Sequence, residues 1–292
     1  MVSEQLILLV SAFAKINLAL EVVGRQNSKY HEVKTILQTI GIRDIIEIHH
    51  WNHLKVECDI PSISGSNNLV WHAAQKLADR AGIQPKAKII INKQIPIGMG
   101  LGGGSSDAAA ALLALDEFWE LHLDPIELSE IAKELGSDVP FFLQGGTALG
   151  ENRGELITQL PDLPPLELLL VCPNQTIPNK TSTLYSQLMS SNFSDGGITN
   201  RMVSSLLVGQ LPIDIMFNVF ESIAFQNFPL LSDIFEVITE SIGTRPHLCG
   251  SGPAIFCLPS NRTEFDHLSS CIRNTDSVVY FTNCIESKAV QC

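Results

Sequence analysis

The chain has 292 residues, of which 45% are hydrophobic, so it is long enough to bury a sizeable core in one large or two ordinary domains. Its formal net charge of −12 argues against a nucleic-acid-binding protein, whose surface would carry clustered lysine and arginine. Seven cysteines are scattered without a C-x-x-C pair, which predicts reduced thiols rather than a disulfide framework or a zinc site.

The apolar patch at residues 6–10 follows Glu4 and is not led by a basic residue, so it does not resemble a secretory signal. No run approaches the length of about 18 apolar residues that a membrane helix needs. We therefore expect a cytoplasmic protein that has no membrane partner.

The first half of the chain alternates strand and helix patterns. Residues 16–23 have the period of a half-buried strand, which places Lys15 and Asn17 on one face with Cα atoms about 7 Å apart, close enough to serve one ligand. Further strand patterns cover residues 33–40, 44–49 and 54–58. Helical patterns cover residues 69–81, 107–119 and 125–135, the last with Asp124 as N-cap and Pro125 at the first helical position.

The proline-rich segment 160–165 is the best candidate for a domain boundary, and it predicts an N-terminal lobe of residues 1–160 and a C-terminal lobe of residues 161–292. Beyond it, strand patterns cover residues 166–172, 254–258 and 278–282, with helical stretches up to residue 242. On each side of this boundary, strand patterns are followed by separate helical patterns. This order predicts an α+β protein of two lobes rather than a doubly wound sheet.

A glycine loop, Pro-Ile-Gly-Met-Gly-Leu-Gly-Gly-Gly-Ser-Ser-Asp at residues 96–107, runs directly into an apolar helix pattern. Glycines let the backbone approach a ligand, and the amides and dipole at a helix start attract negative charge, so the loop predicts a phosphate site for a nucleotide. A flexible linker would not stand between a strand pattern and an apolar helix.

Other glycine motifs fit this loop less well. Gly98, Gly100 and Gly103 satisfy the loose dinucleotide pattern G-x-G-x-x-G, but Pro96 separates the loop from its strand and the acid at the expected distance, Glu117, falls inside the helix. A Walker loop needs Gly-Lys, and a protein kinase needs His-Arg-Asp and Asp-Phe-Gly; the sequence contains none of these.

Five segments together resemble the GHMP kinases, in the same order, from about residue 11 to residue 258. They are Ala-Lys-Ile-Asn-Leu at 14–18, Tyr-His at 30–31, the glycine loop, Gly-Ser-Asp-Val-Pro at 136–140 and Leu-Cys-Gly-Ser-Gly-Pro at 248–253. The resemblance implies a two-lobed GHMP kinase fold, with an N-terminal lobe like ribosomal protein S5 domain 2 and a ferredoxin-like α/β C-terminal lobe. Within the superfamily, the chain is most similar to members that act on 4-diphosphocytidyl-2-C-methyl-D-erythritol.

The resemblance implies that the glycine loop wraps the phosphates of ATP, and that Ser105 or Ser106 reaches a Mg²⁺ ion. That ion would relieve crowding between ATP and Asp107, although an acid in the first turn of a helix also complements the helix dipole. The implied ATP-binding residues are Pro96, Gly98, Gly100, Leu101, Gly102, Gly103, Gly104, Ser105 and Ser106.

The same resemblance makes Asp138 the catalytic base for the acceptor hydroxyl, with Lys15 orienting it and stabilising negative charge. We expect Asp138 to lie in a turn after a helix ending near Leu135, with Gly136 as C-cap and Pro140 preventing the helix from resuming. Alone, each residue has an ordinary interpretation, as an acid in a turn and a lysine on an exposed strand. Their joint occurrence with the loop favours catalysis.

For the acceptor, the resemblance implies that Tyr30 and His31 sandwich a pyrimidine ring, which favours a cytidine substrate. Asn17 would contact a phosphate or hydroxyl of the substrate, Tyr185 would supply a second stacking ring, and Gly250 and Ser251 would turn between a helix and a strand to position the substrate. The family usually has Asp-Gly where this chain has Ser28 and Lys29, which changes the turn chemistry before Tyr30.

We therefore expect an enzyme that uses ATP and Mg²⁺ to phosphorylate the C2 hydroxyl of 4-diphosphocytidyl-2-C-methyl-D-erythritol. Its partner would be this small molecule and no nucleic acid, and the chain would be a monomer or a weak homodimer. Two alternatives stay open from the sequence. One is another GHMP kinase acting on a mevalonate-like alcohol, and the other is a non-catalytic nucleotide-binding protein of the same fold.

Overall fold

The computed structural model describes residues 6–26, 30–174, 177, 179–272 and 275–287. In these ranges the chain forms two β-sheets, each of which packs against helices. The helices are α1 (Leu69–Ala81), α2 (Gly103–Phe118), α3 (Pro125–Leu135), α4 (Val139–Phe142), α5 (Lys180–Gln187), α6 (Gly197–Leu206), α7 (Glu221–Asn227), α8 (Pro229–Ile242) and α9 (Arg262–Ile272). Short 3₁₀ turns cover Pro61–Ile63, Gly65–Asn67, Ser190–Asn192 and Ile213–Ile215.

The first sheet is built on a long antiparallel hairpin. Its strands are β1 (Leu6–Gln26), β2 (Tyr30–His49), β3 (Leu54–Cys58), β4 (Ala87–Asn92), β5 (Thr147–Glu151), β6 (Leu156–Gln159) and β8 (Phe217–Asn218). The strand order is β3-β4-β2-β1-β8, with β5 paired to β2 and β6 paired to β5. Because β8 pairs in parallel with β1, a strand that follows residue 160 completes the sheet formed by the first half of the chain.

The second sheet has the order β11-β7-β10-β9, with neighbouring strands antiparallel. Its strands are β7 (Glu167–Pro173), β9 (His247–Leu248), β10 (Ile255–Cys257) and β11 (Ser277–Asn283). The division into domains at residue 160 stays a prediction. In the part of the chain that the structure describes, no helix combines the length and apolar character needed to cross a membrane.

Three groups of buried side chains hold these layers together. The first lies between the long hairpin and α1 to α3, and the third lies between the second sheet and α7 to α9. The middle group is shared by both sheets, since Ile16 and Ile36 of the hairpin pack in one cluster with Leu170 of β7 and Phe256 of β10. This shared core fixes the ends of the two sheets relative to one another.

Several local predictions are confirmed, and two are wrong. Helices α1 and α3 have the predicted bounds, with Asp124 capping α3 through a hydrogen bond from the amide of Ile126 and Gly136 following its last residue. Pro140 does not stop the chain from becoming helical again, because α4 carries it in the first turn, where a missing N–H costs nothing. Helix α2 starts at Gly103, four residues before the expected Asp107, since the glycines themselves form its first turn.

A buried acid anchors the segment that leads into the glycine loop. Asp44 of β2 is fully buried, and its carboxylate accepts hydrogen bonds from the amides of Gln94 and Ile95. It also pairs with the ammonium of Lys93, which lies 2.7 Å from Asp107 of α2. One side chain of β2 therefore holds the end of β4, the loop and the helix in a fixed arrangement.

The glycine loop also packs tightly against the second sheet. At Gly100, where φ is +83°, a Cβ atom would lie 2.0 Å from the carbonyl oxygen of Cys249, in the turn between β9 and β10. The amide of Ala254 donates to the carbonyl of Met99 over 3.2 Å. Only glycine allows the two backbones to approach this closely, so the loop and the turn form one continuous wall.

We predict that Asp44→Ala lowers the free energy of unfolding by about 3 to 5 kcal/mol, because it removes one of the two carboxylates that balance the buried ammonium of Lys93 and leaves two amides without their acceptor. Chemical denaturation with guanidinium measures the change. The exposed Asp79 provides the control, and Asp79→Ala should cost no more than about 0.5 kcal/mol. Equal losses in the two variants would contradict the anchoring role.

We also predict that Gly100→Ala destabilises the protein much more than Gly98→Ala. Both positions have positive φ, +83° and +74°, but a Cβ at Gly98 would meet nothing within 4 Å. The backbone strain of about 1 kcal/mol is thus common to both, and only Gly100→Ala must also separate the loop from Cys249, at a further cost of about 1 to 3 kcal/mol. Thermal unfolding of both variants measures the difference; a Gly98 variant that is equally unstable would refute the close contact.

Candidate active site

A cleft of about 700 Å³ lies where the glycine loop, the β9–β10 turn and the start of α5 meet. Most of the residues singled out from the sequence line it, whereas Ser106, Tyr30 and His31 do not. The predicted residues that line the cleft are Lys15, Asn17, Pro96, Gly98, Gly100, Leu101, Gly102, Gly103, Gly104, Ser105, Asp138, Tyr185, Gly250 and Ser251.

The start of α2 faces this cleft. Gly102 is the N-cap, with φ of +75°, and a Cβ there would lie 2.7 Å from the ring of Phe142 and 3.2 Å from Cγ of Lys15. At Gly98 and Gly104, in contrast, a Cβ would meet nothing within 4 Å. The first amides of a helix have no partner within it, so the open space in front of this loop suits an anion such as a phosphate.

The two serines of the loop have different surroundings. The hydroxyl of Ser106 donates to the carbonyl oxygen of Phe13 over 2.6 Å and is buried, which ties α2 to β1. Ser105 is partly exposed and lines the cleft. Of the two hydroxyls proposed from the sequence for Mg²⁺, only that of Ser105 is therefore placed to reach an ion beside the phosphates.

Lys15 lies beneath the loop and is held by a chain of hydrogen bonds. Its backbone amide donates to the carbonyl of Leu101 over 3.0 Å, and its ammonium donates to Oδ1 of Asn17 over 2.8 Å. Asn17 in turn donates to the hydroxyl of Thr35 over 2.8 Å, which donates to the carbonyl of Ala19. The side chain is only 5% exposed, so this network fixes the direction of its charge.

Asp138 reaches the same point from the other side of the cleft. Its Oδ2 lies 3.8 Å from Nζ of Lys15, and its side chain is 40% exposed. It occupies the N-cap position of α4 without making a capping hydrogen bond, so the carboxylate is not bound to its own helix. The constrained connection from α3 to α4 thus presents an available carboxylate oxygen next to a fixed ammonium.

Asp107 is buried and lies in the second turn of α2, so it does not have the first-turn position expected from the sequence. Its Oδ2 binds the ammonium of Lys93, and its Oδ1 has no hydrogen-bond partner among the described residues. Burial raises the pKa of Asp107 to about 7, although the charge of Lys93 opposes that shift. Although burial disfavours its charge, Lys93 has a raised pKa because it lies between Asp107 and Asp44.

The β9–β10 turn closes the cleft above Lys15. A Cβ at Gly250 would lie 3.1 Å from Nζ of Lys15 and 3.3 Å from Oδ1 of Asn17. The buried amide of Asn218 in β8 holds this turn by donating to the carbonyls of Leu248 and Gly250, each over 2.8 Å. The turn was expected between a helix and a strand, but it connects two antiparallel strands because residues 247–248 pair with β10.

The aromatic residues proposed for base binding lie at the rim. Tyr30 and His31 are consecutive in β2 and contact different partners: the guanidinium of Arg153 lies 5.4 Å from the ring of Tyr30, whereas the ring of His31 lies 4.9 Å from that of Tyr185. Rings in contact leave no room for a base between them. Ser28 and Lys29 lie outside the described residues, so the structure does not test how their presence in place of Asp-Gly changes the turn before Tyr30.

Burial and the neighbouring charge of Arg25 lower the pKa of His31, whose Nε2 accepts a hydrogen bond from Nε of Arg25 over 3.0 Å. A neutral ring at this position can offer its face for stacking without placing a charge against a base. Burial raises the pKa of Tyr185 to about 12, with a further contribution from Asp138, so its phenol stays protonated.

Sequence reasoning missed several residues at the site. Lys93 stands three residues before Pro96, and a basic residue so close to a phosphate loop is a signal that could have identified it. Arg153 and Lys180 also line the cleft, and Asn218 supports its wall. None of these three belongs to a recognisable motif, since each reaches the site only through the tertiary fold.

Comparisons with known proteins agree with this arrangement. Residues 68–146 match the family of GHMP kinases N terminal domains. The chain is 37% identical to the 4-diphosphocytidyl-2-C-methyl-D-erythritol kinase of Dehalococcoides mccartyi over 84% of this chain and 87% of that protein. It is 33% identical to the enzyme of the same name from Acetivibrio thermocellus over 94% of this chain and 98% of that protein.

Solved structures give the same result. A crystal structure of a 4-(cytidine 5′-diphospho)-2C-methyl-D-erythritol kinase matches with a TM-score of 0.80 and 30% identity, over 95% of this chain and 99% of that one. The homoserine kinase of Cytophaga hutchinsonii matches with a TM-score of 0.72 at 16% identity, over 98% and 100% of the two chains, which supports the fold alone. The predicted α+β, two-lobed GHMP kinase fold is thereby confirmed, and the chain belongs to the 4-diphosphocytidyl-2-C-methyl-D-erythritol kinase family of the GHMP kinases.

Proposed function

We propose that this small-molecule kinase transfers the γ-phosphoryl group of ATP to the C2 hydroxyl of 4-diphosphocytidyl-2-C-methyl-D-erythritol. The observation that carries the proposal is the approach of the Lys15 ammonium to within 3.8 Å of the Asp138 carboxylate, beneath the start of α2. Relatives that carry this substrate in their name cover most of the chain, which favours the same acceptor here.

ATP fits the glycine loop on physical grounds. The open space at Gly98 and Gly104 accommodates phosphate oxygens. The first amides of α2, which like those of any helix have no acceptor within the helix, provide donors for them. Ser105 would hold the Mg²⁺ that accompanies the nucleotide, and that ion supplies charge neutralisation to the phosphates. The ammonium of Lys93 also lines the cleft, where the two acids beside it keep it charged and in place.

The chemistry follows from the positions of Lys15 and Asp138. The carboxylate accepts a hydrogen bond from the acceptor hydroxyl and aligns its oxygen with the γ-phosphorus. As the new oxygen–phosphorus bond forms, the bond from the γ-phosphorus to the bridging oxygen breaks, ADP leaves with that oxygen, and the carboxylate receives the hydroxyl proton. The ammonium neutralises charge on the transferring group and orients the carboxylate. In a loose transition state, positioning and charge neutralisation matter more than base strength, so the carboxylate need not be a strong base.

The aromatic rim suits the cytosine of the acceptor. Tyr185 lines the cleft, while its ring edge packs against Phe220 and its face lies near His31. Because His31 and Tyr185 already touch, the base would stack on an outer face of this pair, with Tyr30 and Arg153 at the border of the same rim. Asn17 would contact a hydroxyl or phosphate of the substrate. The predicted cytoplasmic location and monomeric or weakly dimeric state stay predictions.

We expect Asp138→Asn and Lys15→Met each to lower kcat by about 10² to 10⁴-fold, while ATP binding and folding are retained. Acceptor-dependent release of ADP measures turnover, and titration with a non-hydrolysable ATP analogue measures binding. Asp233→Asn, an exposed acid on α8, is the matched control and should keep full activity. Full turnover in either cleft variant would reject the assignment.

Substitutions in the aromatic rim test the acceptor. Tyr185→Ala and His31→Ala should each raise KM for the cytidine acceptor by about 5- to 150-fold, the value of one stacked base, while KM for ATP stays constant. Tyr185→Phe retains the ring and should behave like the parent enzyme, as should His72→Ala, an exposed histidine on α1. Turnover of a mevalonate-like alcohol at a rate comparable with that of the cytidine acceptor would favour a different GHMP kinase activity.

A further inference from the structure

Lys180 brings a further ammonium group into the cleft. It is the first residue of α5, and its Nζ donates to the hydroxyl of Ser251 over 3.2 Å. The same hydroxyl lies 2.7 Å from Oγ1 of Thr181. The contact joins the start of α5 to the β9–β10 turn, and both Lys180 and Ser251 line the cleft beside Lys15.

The charge of Lys180 is not balanced in the way that the other lysines of the cleft are. Lys15 has Asp138 nearby, and Lys93 lies between Asp44 and Asp107. For Lys180, no carboxylate of the described residues lies within 4.0 Å of Nζ, and its one polar side-chain contact there is a neutral hydroxyl.

This arrangement has an energetic cost in the free protein. Burial and, to a smaller extent, the positive charge of Lys15 together lower the pKa of Lys180 to about 8. Of the ammonium groups of Lys15 and Lys180, only that of Lys15 has a carboxylate within 4.0 Å among the described residues, so Lys180 brings a positive charge that an anionic ligand would neutralise. Hydrogen bonds from ammonium groups to phosphate oxygens are among the strong polar contacts in proteins.

The position of Lys180 points to the acceptor rather than to the nucleotide. Gly250 faces the glycine loop, since a Cβ there would lie 3.3 Å from the carbonyl of Gly100, whereas the hydroxyl of the next residue, Ser251, faces α5. Tyr185, the ring proposed to stack on cytosine, lies on α5 little more than one helical turn after Lys180. The diphosphate that connects the cytidine to its alcohol would have to lie between the base and the reacting hydroxyl.

We infer that Lys180, together with the hydroxyl of Ser251, binds the diphosphate of the acceptor and holds it between the aromatic rim and the Lys15–Asp138 pair. The inference rests on the proposed function and assigns to that site a residue outside the recognised motifs. Lys180 is thus a substrate-binding residue, and it takes no proton from the reacting hydroxyl.

Steady-state kinetics of Lys180→Met and Lys180→Arg test this. Lys180→Met keeps the length of the side chain and removes its charge, so KM for the cytidine acceptor should rise about 10- to 100-fold while KM for ATP changes less than about twofold. Lys180→Arg keeps the charge and should recover most of the loss. Lys86→Met, at an exposed lysine, is the control. An unchanged acceptor KM in Lys180→Met, or a rise confined to the KM for ATP, would overturn the inference.

A binding measurement separates this inference from the proposed reaction. Calorimetric titration with CDP, which carries the base and the diphosphate but no acceptor alcohol, should show at least tenfold weaker binding to Lys180→Met than to the parent protein. Equal binding to the two proteins would overturn the role of Lys180 even if the parent enzyme phosphorylates the acceptor. Loss of CDP binding in the variant would support that role even if no acceptor-dependent ADP release were found.

Two further readouts distinguish ligand binding from a structural role. Without ligand, Lys180→Met should unfold at the same or a higher temperature, because it removes an unbalanced charge; a clear decrease with unchanged kinetics would indicate a structural role and overturn the inference. The pH dependence of the reaction gives the second readout. Since the neutral form of Lys180 dominates above pH 8, kcat/KM for the acceptor should fall as pH rises through about 8 in the parent enzyme. The other charged or titratable groups that line the cleft are Lys15, Lys93, Asp107, Asp138, Arg153 and Tyr185. The pKa of Tyr185 is raised to about 12, far above this range, whereas that of Asp107 is raised to about 7; because Asp107 is present in both proteins, the comparison with Lys180→Met isolates the contribution of Lys180. This decrease should be absent from Lys180→Met, and its persistence there would count against the inference.

Discussion

The close approach of two backbones is the constraint on which the site depends. Gly100 lies against the carbonyl of Cys249, and the neighbouring residues Met99 and Ala254 share a hydrogen bond. This contact joins a loop of the first sheet to a turn of the second. The relative position of the two walls of the cleft, the glycine loop and the β9–β10 turn, is therefore set by packing that tolerates no additional carbon atom.

The lysines of the cleft show how one kind of group acquires different properties from its surroundings. Lys93 is enclosed by two buried acids and is fixed in both charge and position. Lys15 is oriented by an amide and stands near a single, partly exposed acid, so its charge is available to a reacting group. Within the described part of the chain, the ammonium of Lys180 has one polar side-chain contact, a hydroxyl, and burial lowers its pKa. The sequence alone shows three lysines and does not distinguish their surroundings.

Local signals in the sequence predicted local structure well. The bounds of α1 follow from apolar periodicity, and those of α3 also from Asp124 as N-cap and from Gly136 after its last residue. The start of α2 was placed too late because glycine has low helix propensity, which the phosphate loop overrides. The helical turn at Pro140 was missed because proline was interpreted as a residue that ends a helix, whereas in the first turn its missing N–H would have no partner in any case.

The glycine loop, Lys15 and Asp138 could be named from motifs, whereas the groups that support them could not. Asp44 is an ordinary acid in a strand pattern until the fold brings the amides of Gln94 and Ile95 to it. Asn218 lies about 30 residues from the turn that it holds. Such partners are defined by the packing of distant segments, and a single sequence has no periodicity or spacing that reports them.

The cations of the cleft belong to a protein with a net charge of −12. A polyphosphate approaching from solution first meets a repulsive field and experiences attraction only at short range, inside the cleft. At 0.1 M salt, charges beyond about 10 Å are largely screened, whereas contacts within a sheltered cleft are weakened much less. Moderate ionic strength therefore removes more of the repulsion than of the attraction, so physiological salt favours the capture of two anionic substrates by an acidic enzyme.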